Sequence, residues 1–372
     1  MVQLISRRYN TPTGKFSRRY NAQLFSRRHN APDVYSTSSY TLVWANESSV
    51  RNMLAYAWAG NFGSRYSDPS VGSNNHRGVD VRWTPNGDDI GIASDDSPYV
   101  EAWQWSSGFG TKYSDPATPP TGGGHGIAFS TSDVVVAHTT SPYVSGYPFS
   151  HVSGFGTKYN DPSGLTDTVW GVAFKPDYAY IALALNVSPY IKVYNWTLGS
   201  GWGAAVSDPG TLPTGQTNGL PHSVAWKPVT GKQVGLAHNT SPFVTIYDFQ
   251  TSFGSKYSDP SPSVGASNWA NCVAWSPDAN YIAIGYETSP YISVYNWGVS
   301  GFGSKVAAPH SIPDASQVLD VAWSPDMGHI ALALNTTPFI NVYRWVNNGF
   351  GPKVAGAVPL VANQQSHGVA WL

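Results

Sequence analysis

Acid–base or metal chemistry in this 372-residue chain would fall to ten histidines, 22 acidic side chains and one cysteine. Four residues before each of seven recurring aromatics stand Val79, His125, Trp170, His222, Asn271, Leu319 and His367. Three imidazoles at equivalent positions could hold a metal or an anion. Modules far apart around a ring would keep them from sharing one ion, so no metal and no cofactor are expected. His138 and His238 read as local hydrogen-bonding groups. The acids are mostly turn chemistry: Asp68, Asp115, Asp161, Asp208 and Asp259 each precede a proline. Apart from Asp88-Asp89, the one compact acidic cluster is Asp95, Asp96 and Glu101, which lie around a hairpin turn and read as a solvated loop. Glycosidase chemistry needs paired carboxylates converging on one pocket, and no spacing here supplies them. Gly-x-Ser-x-Gly, the phosphate-binding Gly-x-x-x-x-Gly-Lys-(Ser/Thr) loop and His-Glu-x-x-His are all missing. The residues alone therefore suggest no catalytic group and a protein that is not an enzyme.

Charge is unevenly spread. Residues 1–30 hold seven of the 21 basic residues and no acid, leaving 14 bases against 22 acids, a net −8, in the remainder. The basic stretch repeats: Ile5-Ser6-Arg7-Arg8-Tyr9, Phe16-Ser17-Arg18-Arg19-Tyr20 and Phe25-Ser26-Arg27-Arg28-His29. An apolar anchor, an Arg pair and an aromatic or His suit a binding arm. Residues 1–40 are expected to be such an arm, extended because Pro12, Gly14 and Pro32 oppose one helix. Its expected contacts are Arg7, Arg8, Tyr9, Phe16, Arg18, Arg19, Tyr20, Phe25, Arg27, Arg28 and His29. Nucleic acid is a weaker partner than protein, because seven charges make a small patch and the body is itself acidic.

The elements that must position these groups recur. A short first strand ends in an aromatic at Trp83, Phe129, Phe174, Trp226, Trp275, Trp323 and Trp371. A second apolar strand follows, then a Ser-Pro-Tyr type turn, as at Ser97-Pro98-Tyr99 and Ser289-Pro290-Tyr291. A third strand ends at Trp58, Trp105, Phe149, Trp196, Phe249, Trp297 or Trp345. A fourth element centres on Phe-Gly or Trp-Gly, followed in six copies by Lys or Arg two residues after the glycine. Four β segments at a period of 40–50 residues predict a β-propeller, with edge lysines to block aggregation. Six units run from about Val79 to Gln365. Ser366 to Leu372 are one further first strand, and residues 41–69 hold the later strands of a seventh unit. The expectation is an all-β, seven-bladed propeller of four-stranded blades over residues 41–372, closed by the C-terminal strand pairing into the N-terminal blade.

The body resembles the WD-repeat type of propeller, though without its Gly-His and Trp-Asp signatures. The unit Ser-Pro-Tyr-(Ile/Val)-x-Val-Tyr-x-Trp with Gly-Phe-Gly-x-Lys-Tyr-Ser-Asp-Pro also resembles propeller repeats of tailed-bacteriophage structural proteins. That resemblance implies a non-enzymatic virion component, a head decoration or tail-associated protein assembled in the host cytoplasm and anchored to other subunits by its arm. The alternative is a carbohydrate-binding propeller whose exposed aromatics stack on a host glycan. The lone Cys272 excludes a disulfide framework and reads as a small core residue. No membrane-length apolar run or signal-peptide core is present, so the expectation is no membrane contact and a soluble protein of a reducing compartment, or one with no use for disulfides.

Overall fold

The computed structural model describes residues 39–46, 53–69, 77–215, 224–265, 269–311, 316–356 and 365–372. The expected arm contacts, Arg7 to His29, lie outside these residues.

Seven antiparallel sheets of four strands each form a seven-bladed β-propeller. The innermost strands are Ser366–Trp371, Gly78–Trp83, Gly124–Phe129, Val169–Phe174, Val224–Trp226, Ala270–Trp275 and Val318–Trp323, in blades 1 to 7. Blade 1 closes as expected. Leu42, Val43 and Trp44 pair with Trp371, Ala370 and Val369, and Thr41 and Leu372 exchange backbone hydrogen bonds of 3.1 and 2.9 Å. One blade thus joins both ends of the ring and removes two open sheet edges.

The burial pattern explains why the strands do not alternate apolar with polar. Asp133–His138, Tyr281–Tyr286 and His329–Leu334 are buried at every position, because each sheet is covered on both faces by its neighbours. Aromatics finish the strands. In blade 2, Trp83 meets Trp105 edge-to-face at 4.9 Å, and Trp105 meets Phe109 at 5.0 Å and Tyr66 of blade 1 at 5.0 Å. Blade 6 repeats the set with Trp275, Trp297, Phe302 and Tyr257 at 4.8–5.1 Å. Third-strand tyrosines tie down the chain leading into blades 3 to 7, as Tyr194 Oη donates to Ser163 O at 2.7 Å and Tyr295 Oη to Pro262 O at 2.8 Å.

Outer strands are short. In blade 3 the fourth strand is only Gly154–Phe155, since Pro148 on the adjacent strand has no N–H to extend the ladder. The edge lysines are not isolated charges: Lys112, Lys158, Lys256 and Arg65 pair with Asp115, Asp161, Asp259 and Asp68 three residues on. In blade 4, where Ala205 replaces the base, Lys192 on the third strand reaches Asp208 instead, at 3.2 Å. Glu101 corrects the solvated-loop expectation. It is 1% exposed and pairs with Lys112 Nζ at 2.9 Å, because it begins a central strand rather than ending a turn.

Candidate functional site

Seven innermost strands line one central channel. Because the sheets are antiparallel meanders, first-to-second and third-to-fourth turns share one end, here called the rear face. The front face is where innermost strands begin. Three positions along these strands build three storeys of the channel.

The front storey is made by bulges. In six blades an extra residue interrupts the pairing of the innermost strand with its neighbour. The bulged residues are Val79, His125, Trp170, Asn271 and Leu319, with His367 and Gly368 together in blade 1. These are the positions singled out by their spacing before the aromatic; His222 lies outside the described residues. A bulge re-aims a side chain away from the alternation of the strand. His125 packs edge-on to Trp170 at 4.4 Å, and its Nδ1 is buried with no protein partner. Burial holds the His125 imidazole down to about 4, and the nearby His367 and His138 rings lower it further. His367 is likewise held at about 4, by burial first and then by Arg77, with Asp95 opposing. Blade 2 supplies Arg77 and Asp95 at this mouth, paired at 3.2 Å. Burial raises the Asp95 carboxyl while Arg77 lowers it. The result is two uncharged imidazoles from blades 1 and 3 beside a guanidinium–carboxylate pair.

The middle storey is tight. Gly126 and Gly368 occupy it because a Cβ at either would meet the neighbouring backbone at 3.0–3.1 Å. Asp80 and Asp320, each 1% exposed, fill the space that glycines leave elsewhere. Asp80 Oδ2 accepts the Ile127 N–H of blade 3 at 2.9 Å, and Asp320 Oδ2 accepts the Val369 N–H of blade 1 at 2.8 Å. Arg82 Nη1 lies 3.3 Å from Asp80 and 3.9 Å from Asp320, and donates to Val81 O at 2.8 Å. Burial outweighs that guanidinium: Asp80 is raised to about 6, and Asp320 is raised well above the ordinary range, with Asp80 adding repulsion.

The rear storey is a cup of about 560 Å³. Its wall is Ala128, Ala173, Ala225, Ala274, Ala322 and Ala370, with Arg82 and Asp320 at the floor and the strand-ending aromatics around the rim.

The remaining sites are structural. His138 and His238 bond Ser145 and Thr245 hydroxyls at 3.1 and 2.9 Å, as local groups should. Asp89 binds Tyr113 Oη at 2.6 Å and His151 Nδ1 at 2.9 Å; Asp133 takes Tyr159 Oη and, at 2.9 Å, Trp196 Nε1. No group of three or more His, Cys, Asp or Glu placed to hold a metal occurs among the described residues. Cys272 is fully buried, as a core residue.

Spacing alone exposed His125 and His367. It missed Arg82, Asp80, Asp320, Arg77 and Asp95. One signal was present: the residue before the strand-ending aromatic is Ala in six repeats and Arg in one.

The aromatics expected to stack on a glycan are largely covered in the structure. Among the described residues, Trp269, 49% exposed, is the one exposed Trp, Tyr or Phe; the others are buried or half-buried.

No protein-family model matches the chain, and no curated protein matches it in sequence. Solved structures do match in fold. The periplasmic gluconolactonase of Pseudomonas aeruginosa aligns at 13% identity with a TM-score of 0.68, covering 90% of this chain and 99% of that one. A Bacteroides fragilis protein provisionally assigned as a 6-phosphogluconolactonase aligns at 12% and 0.66, over 92% and 100%. A chain of the mitotic checkpoint complex aligns at 15% and 0.58, over 87% and 99%. These identities carry the propeller fold, WD-repeat-like architecture included. They also overturn the expectation of a non-enzymatic phage virion component, since two of these propellers bear lactonase names and none points to a virion. The physical reason is that missing linear motifs exclude nothing in a ring, where residues from opposite ends of the chain, such as Arg77 and His367, meet at one mouth.

Proposed function

We propose that the protein is a small-molecule hydrolase of the lactonase type, acting on a ring ester such as a sugar-acid lactone at the front mouth. The observation that carries this is the convergence of His125 and His367, held uncharged, with Arg77 and Asp95. Lactone hydrolysis needs a group to take a proton from water and a positive group for the developing oxyanion. His125 is assigned the first role because its buried Nδ1 has no protein partner. As water attacks the carbonyl carbon, one water proton passes to the imidazole and the carbonyl electrons move to oxygen beside Arg77. Collapse breaks the ring C–O bond, the proton goes to the departing oxygen, and a hydroxy acid leaves. An imidazole near 4 is unprotonated at neutral pH and so is free to accept the proton. The lactonase names of two fold neighbours support the substrate class.

The test is titration of acid released from glucono-δ-lactone at constant pH, above the spontaneous rate. Saturable turnover that His125→Gln removes supports the reading. A rate equal to the uncatalysed one with gluconolactone and with its 6-phosphate would end it.

A further inference from the structure

The rear cup lies at the opposite end of the channel from the proposed chemistry, and that reaction leaves it unused. We propose that this cup is a binding site for a small organic anion, a carboxylate carried on a compact apolar body, with Arg82 receiving the charge. Three observations define the ligand. First, the recess of about 560 Å³ is walled by alanines, one from each blade except blade 2, under an aromatic rim that includes Trp83, Trp226, Trp275 and Trp323. A mostly apolar recess with a few placed polar groups is the ordinary form of a small-molecule site.

Second, the position that is alanine in the other six blades is Arg82 in blade 2. Its side chain is 27% exposed and enters the lining of the cup, whereas Asp80, 3.3 Å from its Nη1, does not. Asp320 does reach the floor, but burial raises its carboxyl well above the ordinary range, so the guanidinium carries the charge that a ligand meets. Apolar walls around that cation strengthen its attraction for an anion, and its planar fork matches a carboxylate.

Third, donors are left over on the same side. Trp226, Trp275 and Trp371 each donate the indole N–H to an alanine carbonyl of the adjoining blade, at 3.0–3.3 Å. Trp83 and Trp323, from the blades that carry Arg82 and Asp320, have buried Nε1 atoms without a hydrogen-bond partner among the described residues. At the rim, Lys227 Nζ stands 6.0 Å over the Trp275 ring and adds a second cation. The acids of the neighbouring turns are engaged locally: Asp88 accepts from Asn86, Asp177 pairs with Lys175, and Asp278 and Asp326 accept from Ser276 and Ser324.

The experiment titrates the full-length protein at neutral pH with cyclohexanecarboxylate, read by calorimetry, beside cyclohexylmethanol, which keeps the body, and acetate, which keeps the charge. One site per chain with a Kd below about 1 mM is expected, and each partial ligand should bind at least about tenfold more weakly. Arg82→Gln should weaken binding of the acid about tenfold or more and leave the alcohol unchanged. Ala225→Leu, on blade 5 and away from Arg82, narrows the cup; it should weaken both and guards against an Arg82 variant that does not fold. Arg77→Gln, at the front mouth, should leave binding unchanged. Loss of binding in that variant would place the anion at the other end of the channel and overturn the proposal. So would a Kd weaker than about 1 mM, equal binding of acid and alcohol, or undiminished binding in a folded Ala225→Leu protein.

Discussion

At the scale of single residues, position in the channel decides what each ionisable group can do. His125 is uncharged because burial penalises the imidazolium, and His367 beside it adds like-charge repulsion. His125→Gln should lower kcat for lactone hydrolysis by about 10²–10⁴-fold, the usual loss of a general base, with circular dichroism unchanged. In the wild type, kcat/KM should fall as pH drops through about 4, because protonation removes the base. Asp320 is the contrasting case: a buried carboxyl, pushed well above the ordinary range by burial, that accepts the Val369 N–H of the closing strand. Asp320→Ala leaves that donor unpaired in the interior and should cost roughly 1–3 kcal/mol in urea unfolding. The imidazole positions could be read from spacing before any fold was known. The Arg82–Asp320 approach could not, because their adjacency exists only once blades 7, 1 and 2 lie side by side.

At the scale of the element, each blade is a four-strand meander locked by aromatic contacts at its rear end. Trp297 touches Trp275, Phe302 and Tyr257 at 4.8–5.1 Å, so it joins three strands of blade 6 to the chain leaving blade 5. Trp297→Ala should destabilise the protein by about 3–5 kcal/mol, the usual cost of removing a buried large aromatic, measurable as a lower urea midpoint. These elements were legible in the sequence because the same residue types recur at the same offsets in every repeat, and turn chemistry separates them. The short fourth strand of blade 3 was legible only in part. Pro148 announces a missing donor, but which strand loses the partner depends on the register of Phe149 with Phe155. Glu101 escaped for a related reason: a carboxylate two residues after Tyr99 looks like turn chemistry until Lys112 covers it.

At the scale of the whole molecule, ring closure and the state of the buried charges set stability. His125, His138, His238 and His367 are each held at about 4 in the fold, below the ordinary 6.5. A depressed folded value means that the unfolded chain binds protons first as pH falls. The stability these groups contribute is complete above about 6.5 and is lost on descending toward 4, on the order of 1–3 kcal/mol for each. Asp80 works the other way: raised to about 6, its contribution is lost as pH rises through that value. Asp320, raised well above the ordinary carboxylate range, acts in the same sense as Asp80; four imidazoles against two carboxyls should still give a thermal-unfolding Tm that is highest near neutrality and falls between pH 6.5 and 4. A Tm flat across that window would show the four imidazoles to be solvated. Architecture was the legible part at this scale, because period and end-matching require a closed seven-membered ring. Function was not, because its groups come from blades 1, 2 and 3 and no short motif contains them. The most direct test of the central claim is the rate of glucono-δ-lactone hydrolysis by wild type and His125→Gln at pH 7. The account predicts catalysis above background that the substitution abolishes in a folded protein. Undiminished turnover in the variant would contradict it.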